Sequence, residues 1–143
     1  MSQYLTSSQK ETESLGKNLA KKIIGKKTII GLTGELGGGK TTFIKGFAKG
    51  LGVKTKILSP SFVIYRRYKT KKGGNFYHFD CYRTKGEKEL LALDFKDVVS
   101  DPTSIVAIEW AGRIKKIMPK NALWINFEHI DKKKRKISTW GNV

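Results

Sequence analysis

Apolar residues recur along the first half of the chain at spacings typical first of a helix, then of a strand, then of a second helix. Between residues 8 and 24 they return every three or four positions, and the S-x-x-E pattern that begins at Ser8 is typical of a helix start. A β-branched apolar run at 28–33 predicts a buried strand. Helical spacing returns from 40 to 51, where Gly52 is expected to end the helix.

The second half is richer in strand patterns. A strand is predicted from Phe62 toward Tyr68, and a turn at 73–74 joins it to a strand at 75–79 as an antiparallel hairpin. A short helix is predicted at 85–93. Further strands follow at 104–108, parallel to the first, and at 123–127 and 137–140. Together the elements predict an α/β fold: one domain over residues 1–143, with a mainly parallel central sheet, antiparallel additions and flanking helices.

Between the first strand and the second helix, residues 34–41 spell G-x-x-x-x-G-K-T, the phosphate-binding P-loop motif. Its glycines let consecutive backbone N–H groups point toward a phosphate. Lys40 adds a positive charge near the β- and γ-phosphates, and the Thr41 hydroxyl is placed to hold Mg²⁺. Because a strand precedes the motif and a helix follows it, the sequence predicts a P-loop NTPase domain.

Two acidic residues follow predicted strands. Glu109 comes directly after the apolar run 105–108, and Asp80 comes directly after 77–79. A P-loop ATPase needs an acidic group at the end of a neighbouring strand to complete the Mg²⁺ shell. Both residues would lie at carboxyl ends of strands, where ligands bind in open α/β sheets. The alternative for each is an acid that caps the following turn.

Four other residues are weaker candidates. Ser61, in a Ser-Pro-Ser loop, has a hydroxyl that could reach a metal or orient a water, although an ordinary turn is the simpler interpretation. His78 stands alone, which favours a structural group over a base or a ligand. Cys81 is expected to be a small buried residue. Trp110 suits either the core or the edge of a nucleotide.

The composition narrows the cellular setting. The chain has 29 basic and 12 acidic residues, a formal net charge of +17. Such a charge attracts polyanions, but the lysines are spread along the whole chain and are equally typical of a solvated surface. One cysteine cannot form an intrachain disulfide, and no apolar run reaches the roughly 20 residues that span a bilayer. We therefore expect a cytoplasmic protein that does not enter membranes.

The motifs taken together resemble the TsaE (YjeE) family over nearly the whole chain. The resemblance begins with T-x-x-L-G at 12–16 and continues through the glycine-rich segment 34–43 and S-P-S-F at 59–62. It ends with H-F-D-C-Y-R at 78–83 and E-W at 109–110, which are more specific than the glycine-rich segment alone. The family usually has alanine at the position of Gly38 and threonine or serine at that of Ser61. The carboxyl-terminal segment matches least.

The resemblance implies a Mg²⁺-dependent ATPase with weak intrinsic activity, which binds ATP and ADP. It implies that Asp80 acts near the γ-phosphate, either orienting a water or supporting the metal shell, with Lys40 and Ser61 as further catalytic groups. Thr41 and Glu109 would hold Mg²⁺. The nucleotide-binding residues that the resemblance implies are Thr12, Glu35, Gly37, Gly38, Gly39, Lys40, Thr41, Thr42, Trp110 and Arg135.

The family acts in the synthesis of threonylcarbamoyladenosine in tRNA, so the resemblance also implies partners. These are the TsaB–TsaD pair, in which TsaD modifies adenosine 37 of tRNAs that read codons starting with A, and tRNA bound through that complex. The chain would reset or regulate the complex without transferring the group itself. The alternatives are a small nucleoside or nucleotide kinase, although no lid insertion is evident, and a non-enzymatic tRNA-binding adaptor. A GTPase is disfavoured because the Asn-Lys-x-Asp motif is missing.

Overall fold

The computed structural model of the protein describes residues 2–35, 39–60 and 64–141. Four helices lie in these ranges: α1 (Gln9–Ile23), α2 (Lys40–Gly50), α3 (Glu87–Leu91) and α4 (Phe95–Ser100), together with a 3₁₀ segment, Ala111–Ile117. Seven strands form the sheet: β1 (Ser2–Thr6), β2 (Thr28–Gly34), β3 (Tyr65–Lys69), β4 (Asn75–Asp80), β5 (Ser104–Glu109), β6 (Leu123–His129) and β7 (Arg135–Gly141). Across the described ranges, no helix is long and apolar enough to cross a membrane.

The sheet has the strand order β1-β7-β6-β2-β5-β4-β3. Its four central strands, β6, β2, β5 and β4, are parallel. The outer strands pair antiparallel: β7 with β6 and β1 on one side, and β3 with β4 on the other. This arrangement confirms the predicted mixed α/β sheet with a parallel centre. Because β2, β4 and β5 point the same way, their carboxyl ends lie along one edge.

Each face of the sheet has its own core. On one face, α1 and α2 pack against the sheet around Phe43, Phe47 and Phe127. On the other face, α3, α4 and the 3₁₀ segment cover β4 and β5 around Phe79 and Phe95. The strands β2 and β5 contribute residues to both cores, which explains why their sequences are apolar at almost every position rather than alternating.

The first helix begins and ends as its sequence predicts. The Ser8 hydroxyl accepts a hydrogen bond from the Glu11 backbone N–H at 3.1 Å, and Glu11 in turn accepts from the backbone N–H of Ser7. The first contact satisfies an N–H group that the first turn leaves without a helical partner, and the second fixes the residue that precedes the cap. After α1, Gly25 adopts a φ of 83°, and after α2, Gly52 adopts a φ of 79°. Both glycines therefore end helices in the left-handed region.

Several boundaries differ from the prediction. The strand expected from Phe62 begins only at Tyr65, because Ile64 has a φ of 68°, which is incompatible with a strand; Phe62 itself lies outside the described residues. The helix expected at 85–93 is the shorter α3, and a second short helix, α4, follows it without having been predicted; Asp94, with a φ of 60°, separates the two. The strand β1 and the 3₁₀ segment were not predicted, and the last strand is longer than 137–140.

The helices α1 and α2 meet backbone to backbone. A Cβ atom at any of three glycines would overlap a carbonyl oxygen of the other helix. These glycines are Gly16, Gly46 and Gly50. The absence of side chains at these positions lets the two helix axes approach closely, which brings the first turn of α1 beside the first turn of α2.

We expect Gly46→Ala to lower the free energy of unfolding by about 1–3 kcal/mol, the usual cost of an overpacked site. Alanine favours helices more than glycine does, so any loss must come from the overlap with the Glu13 carbonyl. Gly112→Ala is the matched control, because a Cβ atom there meets no atom within 4 Å. Urea unfolding of both variants measures the difference. Equal midpoints would show that the helix pair relaxes without loss.

Candidate functional site

Two carboxylates lie next to each other at the ends of parallel strands. Asp80 is the last residue of β4 and Glu109 is the last residue of β5, and the strand register pairs them directly. This confirms the expected strand-end position of both acids. Glu109 is also paired in register with Leu32, two residues before the end of β2. The acids therefore lie near the carboxyl end of β2.

The ammonium group of Lys40 lies at the start of α2. The residue is only 4 % exposed, and its Nζ donates hydrogen bonds of 2.7 Å to the backbone carbonyls of Gly34 and Glu35. The helix begins after Gly39, whose φ of 103° favours glycine and which has no side chain to cap the first backbone N–H groups. A buried cation and the positive end of an 11-residue helix thus face the same region.

Burial and mutual charge change the pKa values of this cluster. Burial lowers the pKa of Lys40 from its ordinary value, while Glu109, Asp80 and Glu35 act in the opposite direction. Burial also raises the pKa of Asp80; the backbone N–H of Tyr82, which donates to Asp80 Oδ1 at 3.0 Å, opposes the change, and the charge of Glu109 adds to it. Burial disfavours the charged forms of both Lys40 and Asp80. A ligand that adds charge to this cluster would therefore change both pKa values.

Trp110 follows Glu109 in an unusual backbone conformation. Its φ of 59° and ψ of 38° place a bulky residue in the left-handed region, which costs on the order of 1–3 kcal/mol. One face of its ring lies 4.4 Å from Lys40 Nζ. The ring of Tyr82 lies 4.9 Å away, and the guanidinium of Arg113 lies over Tyr82. Trp110 is half-buried: it packs against the core around Phe79 and also lines the pocket, so it meets both of its predicted positions.

His78 contacts a candidate site residue. Its Nε2 lies 2.7 Å from Glu109 Oε2, and the side chains of both residues are at least nine-tenths buried. The imidazole is stacked parallel to the ring of Phe76. His78 is buried, as predicted for a structural group. Its polar contact, however, is with Glu109, which is a candidate site residue.

One open pocket, with a volume of about 960 Å³, brings most of the predicted site residues together. Its size suits a ligand as large as a nucleotide. The basic side chains of Arg83, Lys132 and Lys133 add to its wall. The predicted site residues that line it are Thr12, Gly39, Lys40, Thr41, Thr42, Asp80, Glu109, Trp110 and Arg135.

Thr12 and Arg135 line the pocket but are also engaged within the protein. The Thr12 hydroxyl is 2.7 Å from that of Thr6 and 3.3 Å from the carbonyl of Ser8, and the residue is 2 % exposed. The Arg135 Nη1 donates to the backbone carbonyls of the preceding turn at 131–134. Both residues therefore shape the pocket wall, and their predicted contact with a nucleotide stays a prediction.

The position of four predicted residues gives no support to a role in the pocket. Gly37, Gly38 and Ser61 fall outside the described residues. Glu35 is exposed and does not line the pocket; it contributes its backbone carbonyl to Lys40. The predicted roles of these four residues stay predictions.

The structure adds residues that the sequence did not single out. The first turn of α1 contributes Gln9 and Lys10 to the pocket, and Tyr82 contacts Trp110 beside it. The basic run at 132–136 was visible in the sequence, but its position depends on the placement of β7 between β1 and β6. The capping pattern at Ser8 showed where α1 begins, and nothing in the sequence showed what that end of the helix faces.

Within the described ranges, no group of three or more histidine, cysteine, aspartate or glutamate side chains is arranged to hold a metal ion. Mg²⁺ has other needs, because it keeps several waters and is usually held by one or two carboxylates together with phosphate oxygens. Asp80 and Glu109 can supply such carboxylates.

Comparison with family models identifies a match over residues 6–137 to the TsaE family, described as threonylcarbamoyl adenosine biosynthesis protein TsaE. The match covers every candidate residue named above.

Individual proteins agree with that match. The tRNA threonylcarbamoyladenosine biosynthesis protein TsaE of Rickettsia prowazekii is 35% identical over 133 residues, which are 92% of this chain and 90% of that protein. The protein of the same name from Bacillus subtilis is 36% identical over 110 residues, 77% of this chain and 67% of that protein. The crystal structure of YdiB from Bacillus subtilis superposes with a TM-score of 0.79 at 27% identity, over 99% of this chain and 86% of that one.

Proposed function

Because the chain belongs to the TsaE family, whose role is the synthesis of threonylcarbamoyladenosine in tRNA, we propose that it is a Mg²⁺-dependent ATPase that serves this modification. The proposal places ATP or ADP in the pocket between α1, α2 and the carboxyl ends of β4 and β5. The partner that uses the ATP cycle is the TsaB–TsaD complex, and tRNA is bound through that complex.

One observation carries the proposal: a buried cation, a helix amino terminus and two carboxylates meet in one pocket. Lys40 and the start of α2 are positive, whereas Asp80 and Glu109 are negative. A bare anion site would not need the carboxylates, and a bare metal site would not need the cation. Phosphate groups with a bound Mg²⁺ would need both, because the cation and the helix would offset phosphate charge while the carboxylates would help to hold the metal.

The residues fit ATP and Mg²⁺. Lys40 is held near the pocket by two carbonyl oxygens, which leave its formal charge intact and leave one of its three N–H groups for a phosphate oxygen. Gly39 leaves the first N–H groups of α2 open to an anion. Bound together, ATP would supply the γ-phosphoryl group, and Mg²⁺ would offset the charge on it.

In this proposal the residues of the pocket have separate roles. Lys40 and the backbone at the start of α2 bind phosphate oxygens, while the Thr41 hydroxyl and the Glu109 carboxylate hold the metal. Asp80 has a raised pKa and lies beside Glu109, so it can accept a proton from a water or orient that water. Trp110 contacts Lys40 and limits the access of water to that side of the pocket.

The two carboxylates should respond differently to substitution. We expect Glu109→Gln to raise the Mg²⁺ concentration for half-maximal hydrolysis by at least about tenfold, because even indirect partners of metal ligands contribute 10- to 100-fold. Asp80→Asn should leave that concentration nearly unchanged and lower the maximal rate. Mg²⁺ titrations of phosphate release compare the two variants. The reverse pattern would exchange the two roles.

The proposed partnership is tested by reconstitution. Purified TsaB–TsaD and unmodified tRNA are supplied with the threonylcarbamoyl donor, with and without this chain, using ATP or a non-hydrolysable analogue. We expect multiple rounds of modification only with this chain and ATP, and stimulation of its phosphate release by TsaB–TsaD.

Other outcomes would favour other functions. Transfer of phosphate to a small acceptor would favour a kinase. Support of modification that does not depend on ATP, with tight tRNA binding by the chain alone, would favour an adaptor. The basic surface alone does not distinguish these outcomes, because charge promotes binding to any polyanion.

A further inference from the structure

The contact between His78 and Glu109 joins the core of the protein to its pocket. His78 lies on β4, two residues before Asp80, and Glu109 ends the neighbouring parallel strand β5. The Nε2 of His78 is 2.7 Å from Glu109 Oε2. The side chains are 3% and 9% exposed, so little water competes for this hydrogen bond.

The direction of the hydrogen bond follows from the proposed role of Glu109. A metal ligand is an ionised carboxylate, which only accepts hydrogen bonds, so this role needs the proton on His78 Nε2. The other ring nitrogen, Nδ1, is buried and has no hydrogen-bond partner among the described residues. A buried nitrogen without a partner costs stability, and an apolar ring would fill the same space beside Phe76 without that cost. The histidine is therefore poorly explained by packing.

We propose that His78 is a positioning residue that fixes the Glu109 carboxylate for Mg²⁺. By donating to Oε2, the imidazole restricts rotation of the carboxylate and leaves Oε1 without a contact to His78. The proposal rests on the proposed function, in which Glu109 holds the metal. Groups that orient a metal ligand in this way are commonly needed for full metal affinity. The charge of Lys40 also acts on Glu109.

Three substitutions separate the hydrogen bond from the shape of the ring. His78→Phe keeps an aromatic ring beside Phe76 and removes the donor. His78→Gln places an amide N–H near the position of Nε2 and should restore the contact. His78→Asn has a shorter side chain, whose amide lies near the position of Nδ1 and cannot reach Glu109. Glutamine and asparagine are matched in charge and polarity, so a difference between them reports the contact itself.

The experiment measures ADP binding by the full chain as Mg²⁺ is added, with thermal unfolding of each variant as a check on the fold. We expect His78→Phe and His78→Asn to need about tenfold more Mg²⁺ than the wild-type protein to reach half of the Mg²⁺-dependent change in ADP binding. Other groups that orient metal ligands have effects of this size. Binding of ADP without Mg²⁺ should be unchanged. His78→Gln should behave like the wild-type protein.

A second measurement needs neither nucleotide nor metal. In the protein labelled with ¹⁵N-histidine, the ring signals of His78 should show a proton on Nε2, and His78→Phe identifies those signals because the chain has only two histidines. An unprotonated Nε2 would overturn the proposal. The proposal would also be overturned if His78→Phe responded to Mg²⁺ as the wild-type protein does. This result would leave the proposed function standing. A wild-type protein that binds ADP without any Mg²⁺ response would overturn the metal role of Glu109 and the positioning role with it.

Discussion

Replacing Lys40 with alanine should reduce ATP hydrolysis by about 10²- to 10³-fold, the usual loss when one preorganised charge at a developing negative charge is removed. The side chain is buried and held by the carbonyls of Gly34 and Glu35, so its charge is in place before a nucleotide binds. That arrangement makes the ammonium group effective in the transition state, where charge spreads over the γ-phosphoryl oxygens.

The control for this variant is Lys45→Ala, an exposed lysine on the same helix. It removes an equal charge from α2 without touching the pocket, and it should leave hydrolysis nearly unchanged. Phosphate release at saturating ATP, with circular dichroism to verify folding, compares the two. Equal rates for the Lys40 variant and the wild-type protein would remove the phosphate-binding role of the residues at 34–41.

Replacing Asp80 with asparagine should make the protein slower and more stable. We expect hydrolysis to fall by about 10²-fold or more, the usual contribution of a positioned proton acceptor. Asparagine keeps an oxygen that can accept the hydrogen bond from the Tyr82 N–H, and it removes a carboxylate whose charged form burial disfavours. Thermal unfolding at pH 7 should therefore occur at a higher temperature in the variant.

The sign of the pH dependence follows from the direction of the pKa change. The pKa of Asp80 in the folded protein lies above its ordinary value of 3.8. A proton is bound more tightly in the folded state, so this residue's contribution to stability is complete below about pH 4 and is lost as the pH rises through the folded-state pKa. The gain from Asp80→Asn should be largest near neutral pH and should disappear in acid. A gain that increases toward acid pH would show that the pKa is lowered instead.

The central fold was predictable because its signals are local. The run at 28–33, the run at 104–108 and the helix after Lys40 all show strong periodicity, and the structure places them as β2, β5 and α2. The strand β1 escaped prediction because its sequence is mostly polar and exposed, and only pairing with β7 makes it a strand. Asp94 separates α3 from α4 with a left-handed φ. Aspartate tolerates this conformation, but an aspartate in the sequence does not predict it.

The candidate site was partly predictable for a similar reason. Asp80 and Glu109 could be found because a strand-end acid needs only one strand and its direction. The contact of Tyr82 with Trp110 depends on a positive φ at Trp110, which sequence patterns do not reveal. The basic turn at 131–134 reaches the pocket only because β7 lies next to β6, and Arg135 holds that turn through backbone carbonyls. Such placements depend on long-range topology.

Because three glycines lie at the contact between α1 and α2, the main chain sets the distance between these two helices beside the pocket. Because the helices touch through carbonyl oxygens and bare Cα atoms, no rotamer change at this contact can widen or narrow the gap. Thr12 on one wall and Lys40 on the other are therefore spaced by backbone geometry. Substitutions in the aromatic core beneath, such as at Phe47, would then weaken the fold while leaving the spacing of Thr12 and Lys40 in the surviving folded molecules nearly unaltered.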